Sequence, residues 1–281
     1  MSILANKPIV HLFTICYNEQ VLLPYFLRHY GSFVEKMYFF DNYSTDRSAE
    51  IIKNHENTTL IQFDTGNKLR DDLHIKVKNN YWKKSRGKAD FVIVCDIDEF
   101  LYHRNIKEFL IRLKTEGYTA ARPMAYQMVS HGLPASAGQI YQEITAGVRT
   151  CVYDKLVLFN PNMIREINFA AGCHECSPKG VVKILEKDPE FKLLHYHYLD
   201  LEYTIKRHKR YAERLSDINR KNLWGVHYLR NETKAREIFR LYKLHAVPVV
   251  SCKEDQSSCR DNNRDAASRI VRHVLKTELK N

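Results

Sequence analysis

The run Phe91-Val92-Ile93-Val94-Cys95-Asp96-Ile97-Asp98-Glu99-Phe100 decides the fold class of this 281-residue chain. Its first five residues are wholly apolar, as in a strand buried on both faces. Carboxylates follow at the C-terminal end of that strand, where open α/β sheets hold their ligands. Asp96 and Asp98 are two residues apart, so on a continuing strand they share one face. Left unpaired they repel, and a divalent cation bridging to a diphosphate relieves that cost. Oxygen donors of this kind suit Mg2+ or Mn2+. The plainer alternative is an acidic turn that caps a helix near Ile106.

Working outward, the segments before this run alternate strand-like and helix-like patterns, which predicts a layered α/β domain with mainly parallel strands. Strands are expected at Ile9–Cys16, Lys36–Phe40, Thr59–Phe63 and Asp90–Cys95. Between them, Leu22, Leu23, Phe26, Leu27, Tyr30 and Phe33 recur at spacings of three and four and predict a helix over Glu19–Val34. Asn42–Asp46 offers caps for a helix to about His55, and a third helix is expected over Asp71–Lys84. Downstream come a helix near Ile106–Glu116 and extended segments around Tyr118–Arg122, Ala125–His131, Lys155–Phe159, Arg165–Phe169 and Phe191–His195, with a loop-rich connection over Gly132–Gly147. Beyond Leu199 the pattern is helical, with Leu201–Asn219, Glu232–His245 and Arg264–Lys280 as helices and Val247–Asn263 as a linker. The division expected is a domain over residues 1–200 and an α-helical extension over 201–281.

Composition bounds the rest. Hydrophobic residues make up 44% and charged residues 27%, ordinary for a globular protein that buries its own core. No apolar run approaches the roughly 18 residues of a membrane span. Met1–Pro8 lacks a basic-then-apolar leader pattern, and seven scattered cysteines suit a reducing compartment, so a cytoplasmic protein is expected. The formal charge of +11 favours polyanionic partners such as nucleotide phosphates or an anionic membrane face. The excess concentrates in Lys206–Arg214 and Arg220–Arg240.

Three motifs taken together are specific. Thr14-Ile15-Cys16-Tyr17-Asn18-Glu19, followed by Leu23-Pro24 and His29-Tyr30, resembles the opening of family 2 and related glycosyltransferases. Phe40-Asp41-Asn42-Tyr43-Ser44-Thr45-Asp46 resembles their second-strand motif, and Val94–Phe100 their metal motif, in the branch that reads Asp-x-Asp-Glu-Phe. The resemblance spans about residues 9–101 and implies a GT-A-like, Rossmann-like nucleotide-binding sheet. It further implies a nucleotide-sugar donor, uridine-linked, and an inverting transfer to a glycan or lipid-linked glycan, as in lipopolysaccharide or capsule biosynthesis. Carried over by residue, Tyr17, Asn18 and Glu19 line the base pocket and Asp41 bonds the base or ribose. Asp96 and Asp98 hold Mn2+ or Mg2+, and Asn79 and Asn80 belong to a donor-recognition helix. Tyr43 stands where the family often has Gly. For Asn18 and Glu19 the alternative role is capping the next helix.

Later candidates rest on chemistry. His195 and His197 alternate on a strand end and are candidate metal ligands. Lys155 is placed to meet a diphosphate or to pair with Asp154. A general base is needed for inversion, and Glu175, His174 and Asp154 are the candidates. Cys173 and Cys176 suggest zinc, but a closed site wants a second paired knuckle, and Cys252 and Cys259 are too loosely spaced to supply it. A haloacid-dehalogenase-like phosphatase also ends a strand in Asp-x-Asp, but Phe100 stands where its Thr or Val belongs. A non-catalytic basic binder of nucleic acid or lipid surfaces is the third class, and no nucleic-acid-binding motif accompanies the charge, so no nucleic-acid partner is expected. The basic helical tail is expected to pack against the core, to meet the acceptor or to rest peripherally on an anionic membrane face.

Overall fold

The computed structural model describes residues 7–186 and 188–250. The expected helix at 264–280, most of the 247–263 linker, and Cys252 and Cys259 lie outside the described residues.

In chain order the N-terminal elements are β1 (Val10–Cys16), α1 (Leu23–Gly31), β2 (Lys36–Asp41), α2 (Ser48–Lys53), β3 (Thr58–Gln62), α3 (Asp71–Asn80) and β4 (Phe91–Val94). β1 pairs in parallel with both β2 and β4, and β2 pairs in parallel with β3. β1 and β4 are buried nearly throughout because each carries an almost unbroken apolar run. α1 buries Leu23, Phe26, Leu27 and Tyr30 at helical spacing, and Pro24 stands in its first turn, where a missing N–H costs nothing. α3 is shorter than its sequence pattern, and Tyr81–Ser85 continues it as a 3-10 turn.

β5 (Glu99–Tyr102), α4 (Ile106–Thr115), β6 (Ala120–Ala121), β7 (Met124–Val129), α5 (Ile140–Glu143), β8 (Ala146–Arg149) and β9 (Leu158–Phe159) follow. Next come β10 (Ile164–Glu166), β11 (Lys179–Gly180), β12 (Ile184–Leu185) and β13 (Lys192–Tyr198). The seven-stranded sheet has the order β12-β6-β9-β4-β1-β2-β3, and β9 enters it antiparallel, so the sheet is mixed beyond its parallel half. A second sheet holds β7, β13 and β5, with β13 parallel to β7 and antiparallel to β5.

The chain closes with α6 (Leu201–Arg214), α7 (Asp217–Lys221), α8 (Glu232–Leu244) and β14 (Val247–Pro248). The single helix expected over 201–219 is broken at Leu215, whose ψ of 118° is extended. Leu215 pairs with Leu69, and the Leu69 N–H donates to the Arg214 carbonyl at 2.6 Å. Asn219, wholly buried, completes this junction. Its Oδ1 accepts from the Asp71 N–H at 3.0 Å and its Nδ2 donates to Asp71 Oδ2 at 2.9 Å. The helical extension is thereby fixed to the N-terminus of α3.

Candidate functional site

The acidic run leaves its strand one residue earlier than the alternation implies. β4 stops at Val94, and Asp96–Asp98 forms a turn before β5 begins at Glu99. The turn is fixed from within, since the Asp96 N–H donates to Glu99 Oε2 at 3.0 Å and the Tyr196 N–H donates to the Asp98 carbonyl at 2.7 Å. It does not cap α4, whose N-cap is Asn105. Both aspartates instead face a cavity of about 550 Å3 at the C-terminal ends of β1 and β4.

Asp96 and Asp98 have separate partners. Asp96 Oδ1 accepts from Lys78 Nζ at 2.6 Å, and its Oδ2 lies 3.6 Å from Lys155 Nζ. Lys155 Nζ also lies 2.6 Å from Glu99 Oε1. Burial alone would raise the Asp96 carboxyl, but Lys78 and Lys155 together hold it well below the usual carboxylate range. Asp98 Oδ2 lies 3.2 Å from His195 Nε2, 3.6 Å from His197 Nδ1 and 2.7 Å from Arg207 Nη1. Burial opposes ionisation there too, and Arg207 with His195 more than offsets it. Arg207 reaches on to Glu19, its Nη2 donating to Oε1 at 2.9 Å, and the Tyr211 hydroxyl donates to the same oxygen at 3.0 Å.

His197 Nδ1 lies between Arg207 Nη1 at 3.4 Å and Asp98 Oδ2 at 3.6 Å, and its Nε2 lies 2.8 Å from His208 Nε2. Burial lowers the His197 pKa to about 4, so its imidazole is neutral near pH 7. Asp98, His195 and His197 are the group among the described residues whose donor atoms could share one ion. Metal bonds of about 2.1 Å put neighbouring ligand atoms about 3 Å apart, close to the 3.2 and 3.6 Å found here. Around this group the carboxylates Glu19, Asp96, Asp98 and Glu99 are paired with the cations Lys78, Lys155 and Arg207. The residues therefore fit a divalent metal, with Asp96 outside the group that would hold it.

The remaining candidates divide between cavity and scaffold. Tyr17 lines the cavity, with the Arg214 guanidinium 3.2 Å from its ring centroid, and Arg214 Nη2 also donates to Asn42 Oδ1. Glu19 lines it too, bound to Arg207. Asn18 does not cap α1: it adopts φ 54°, and its Oδ1 accepts from the Thr45 N–H at 2.7 Å, tying the loop after β1 to the loop after β2. Asp41 is buried and accepts from the Ser44 N–H, bracing the same turn. Tyr43 adopts φ 55°, a left-handed conformation that favours Gly. Asn79 clips the Phe169 backbone through both its amide atoms, and Asn80 bonds the Lys76 carbonyl, so neither lines the cavity.

Of the three candidate bases, Asp154 is held by Arg149 at 2.5 Å and by the Ala125 N–H at 2.7 Å. Glu175 is exposed and off the cavity. His174 lines it, with Nδ1 3.2 Å from the Val152 carbonyl, and burial and Lys155 lower its pKa to about 3. The ring lies against Gly172, where an added Cβ would come within 2.7 Å of it.

Lys78, Arg207, Tyr211 and Arg214 were absent from the sequence candidates. Residues 207, 211 and 214 recur at i, i+4, i+7 on α6, a one-face signal that a count of basic charge conceals.

No family model matches the sequence, and no curated protein matches it. Among solved structures the chain is similar to TarS of S. aureus, residues 1–349, at 13% identity and a TM-score of 0.43, covering 73% of this chain. It spans 65% of that structure, under two thirds of its length. The same TarS fragment solved with UDP-GlcNAc matches at 13% identity, covering 79% of this chain and 71% of that one, with a TM-score of 0.39. The fragment solved with UDP matches at 12% identity, covering 79% and 70%, with a TM-score of 0.42. At TM-scores below 0.5 the likeness is loose. What the chain itself defines is an α/β protein with a charged, histidine-bearing cavity at its strand ends.

Proposed function

We propose that this protein is a metal-dependent glycosyltransferase of GT-A-like fold, moving a sugar from a uridine diphosphate sugar to a hydroxyl of a glycan or lipid-linked glycan with inversion. The observation that carries the reading is the convergence of Asp98, His195 and His197 beside Lys78 and Lys155, at the end of a buried parallel strand. A divalent cation on Asp98, His195 and His197 would neutralise charge on the departing diphosphate. The mixed oxygen and nitrogen donor set suits Mn2+ better than Mg2+.

The chain's own side chains supply the rest. Tyr17 under Arg214 offers a flat platform for a base, and Asn42 adds a polar edge beside it. Lys78 and Lys155 hold Asp96 ionised next to the cation position. His174 is the candidate base that lines the cavity; with Nδ1 donating to Val152 its Nε2 is the acceptor, and burial and Lys155 keep it weakly basic, so a diphosphate that neutralises Lys155 would strengthen it. In the helical extension, exposed Ile218, Leu223 and Leu229 near Arg220 and Lys221 suit a peripheral seat on the inner face of a membrane that carries the acceptor. Among the described residues no helix is long and apolar enough to cross one.

The test is calorimetry of UDP with and without Mn2+. Binding that needs Mn2+ and disappears in Asp98→Ala is expected, and metal-indifferent binding or its survival in Asp98→Ala refutes the reading. Phosphate release from sugar phosphates would favour a phosphatase instead.

A further inference from the structure

Arg207 sits where a cation on Asp98 would sit. Its Nη1 is 2.7 Å from Asp98 Oδ2 and 3.4 Å from His197 Nδ1, two of the three atoms that would bind the metal. A guanidinium and a divalent ion cannot share those atoms, because like charges a few ångströms apart repel strongly in a buried site. Arg207 also has a second anchor, with Nη2 on Glu19 Oε1 at 2.9 Å.

The unused atoms of that second pair favour one direction of movement. Glu19 Oε2 and Arg207 Nε are both buried without a hydrogen-bond partner, and buried polar groups are ordinarily satisfied. One rearrangement serves both. If the guanidinium lets go of Asp98 and turns onto Glu19, it can make the two-pronged Arg–carboxylate pair that is the strongest geometry for these groups. The arrangement seen thus has two settings: Arg207 bridging Asp98 and Glu19, or Arg207 paired with Glu19 alone.

We propose that Arg207 is a built-in competitor for the cation position on Asp98, and that it withdraws onto Glu19 when a divalent cation takes Asp98. Arg207 then sets the affinity for the metal, and Glu19 is the residue that makes its release possible. Because Arg207 rides on α6, metal binding is coupled to how that helix packs over the cavity. The inference rests on the metal-binding reading above and adds to it a positioning role for a residue outside the ligand set.

The test reads Mn2+ binding directly, by calorimetry on the full-length protein without donor or acceptor. Glu19→Gln removes the charge that receives Arg207 and should weaken Mn2+ by about tenfold or more, in the usual range of coupling between competing groups. The double variant Glu19→Gln with Arg207→Met removes the competitor and its landing site together, leaves no lone buried charge in that pair, and should tighten Mn2+ by about tenfold. If Arg207 merely props Asp98 in place, the double variant binds Mn2+ more weakly than the natural protein, and that result overturns the proposal. An unchanged affinity in Glu19→Gln, a near-isosteric exchange, overturns it as well and keeps the test alive should the double variant fail to fold. Failure of the underlying reading is distinguishable, since the natural protein would then show no saturable Mn2+ binding that Asp98→Asn abolishes.

Discussion

Replacing Asn219 by Ala probes how the helical extension is held to the sheet domain. The buried side chain makes three hydrogen bonds: from the Asp71 N–H at 3.0 Å, to Asp71 Oδ2 at 2.9 Å, and from Ser216 Oγ at 3.1 Å. The two neutral bonds contribute about 1 kcal/mol each and the one to a carboxylate about 2, so Asn219→Ala should cost about 4 kcal/mol. The sense of one further effect is fixed. Burial already raises the Asp71 carboxyl and the Asn219 amide lowers it, so the variant should push it higher still. Urea unfolding followed by circular dichroism measures the loss, and amide hydrogen exchange localises it to residues 71–74 and 216–222. A midpoint shift worth less than about 1 kcal/mol, with those amides as protected as before, would refute the claim that this side chain is the clip.

Lys78→Met should destabilise by about 2 kcal/mol, less than breaking one side of a fully buried pair because the Asp96 side chain is 37% exposed, and adding Asp96→Asn should recover most of it in a thermal melt. His29 is buried among aromatic rings with Nε2 on the Leu101 carbonyl at 2.8 Å, and burial lowers its pKa to about 4. The unfolded chain protonates near the ordinary 6.5 and the folded one does not, so stability present above pH 6.5 falls by roughly 3 kcal/mol toward pH 4. The slope of unfolding free energy against pH should flatten by that amount in His29→Gln, and an unaltered slope would count against a buried neutral imidazole.

The parallel half of the sheet was legible because β1, β2 and β4 are written in mostly apolar runs, and α1 in a stripe with one period. His195 and His197 were legible as a pair because strand alternation alone puts them on one face, and both do turn to Asp98. The turn at Asp96–Asp98 was not, since a carboxylate reads the same on a strand as just beyond one. The segment 71–84 carried a misleading pattern: Lys76, Asn80 and Lys83 share a face by helical spacing, yet Lys78 is the lysine that goes inside. A lysine bound for a buried carboxylate looks like any solvated one until its distant partner is known. Arg207 and Arg214 were hidden in the same way, their partners Glu19 and Asn42 being 188 and 172 residues away.

Those separations have a consequence for the molecule during synthesis. Asp98 leaves the ribosome 109 residues ahead of Arg207, and β5 waits still unpaired for β13. A nascent chain long enough to form the parallel strands thus carries its acidic turn without the guanidinium that neutralises it. The hollow lacks one wall until α6 has been made, so competence waits for residues 201–214.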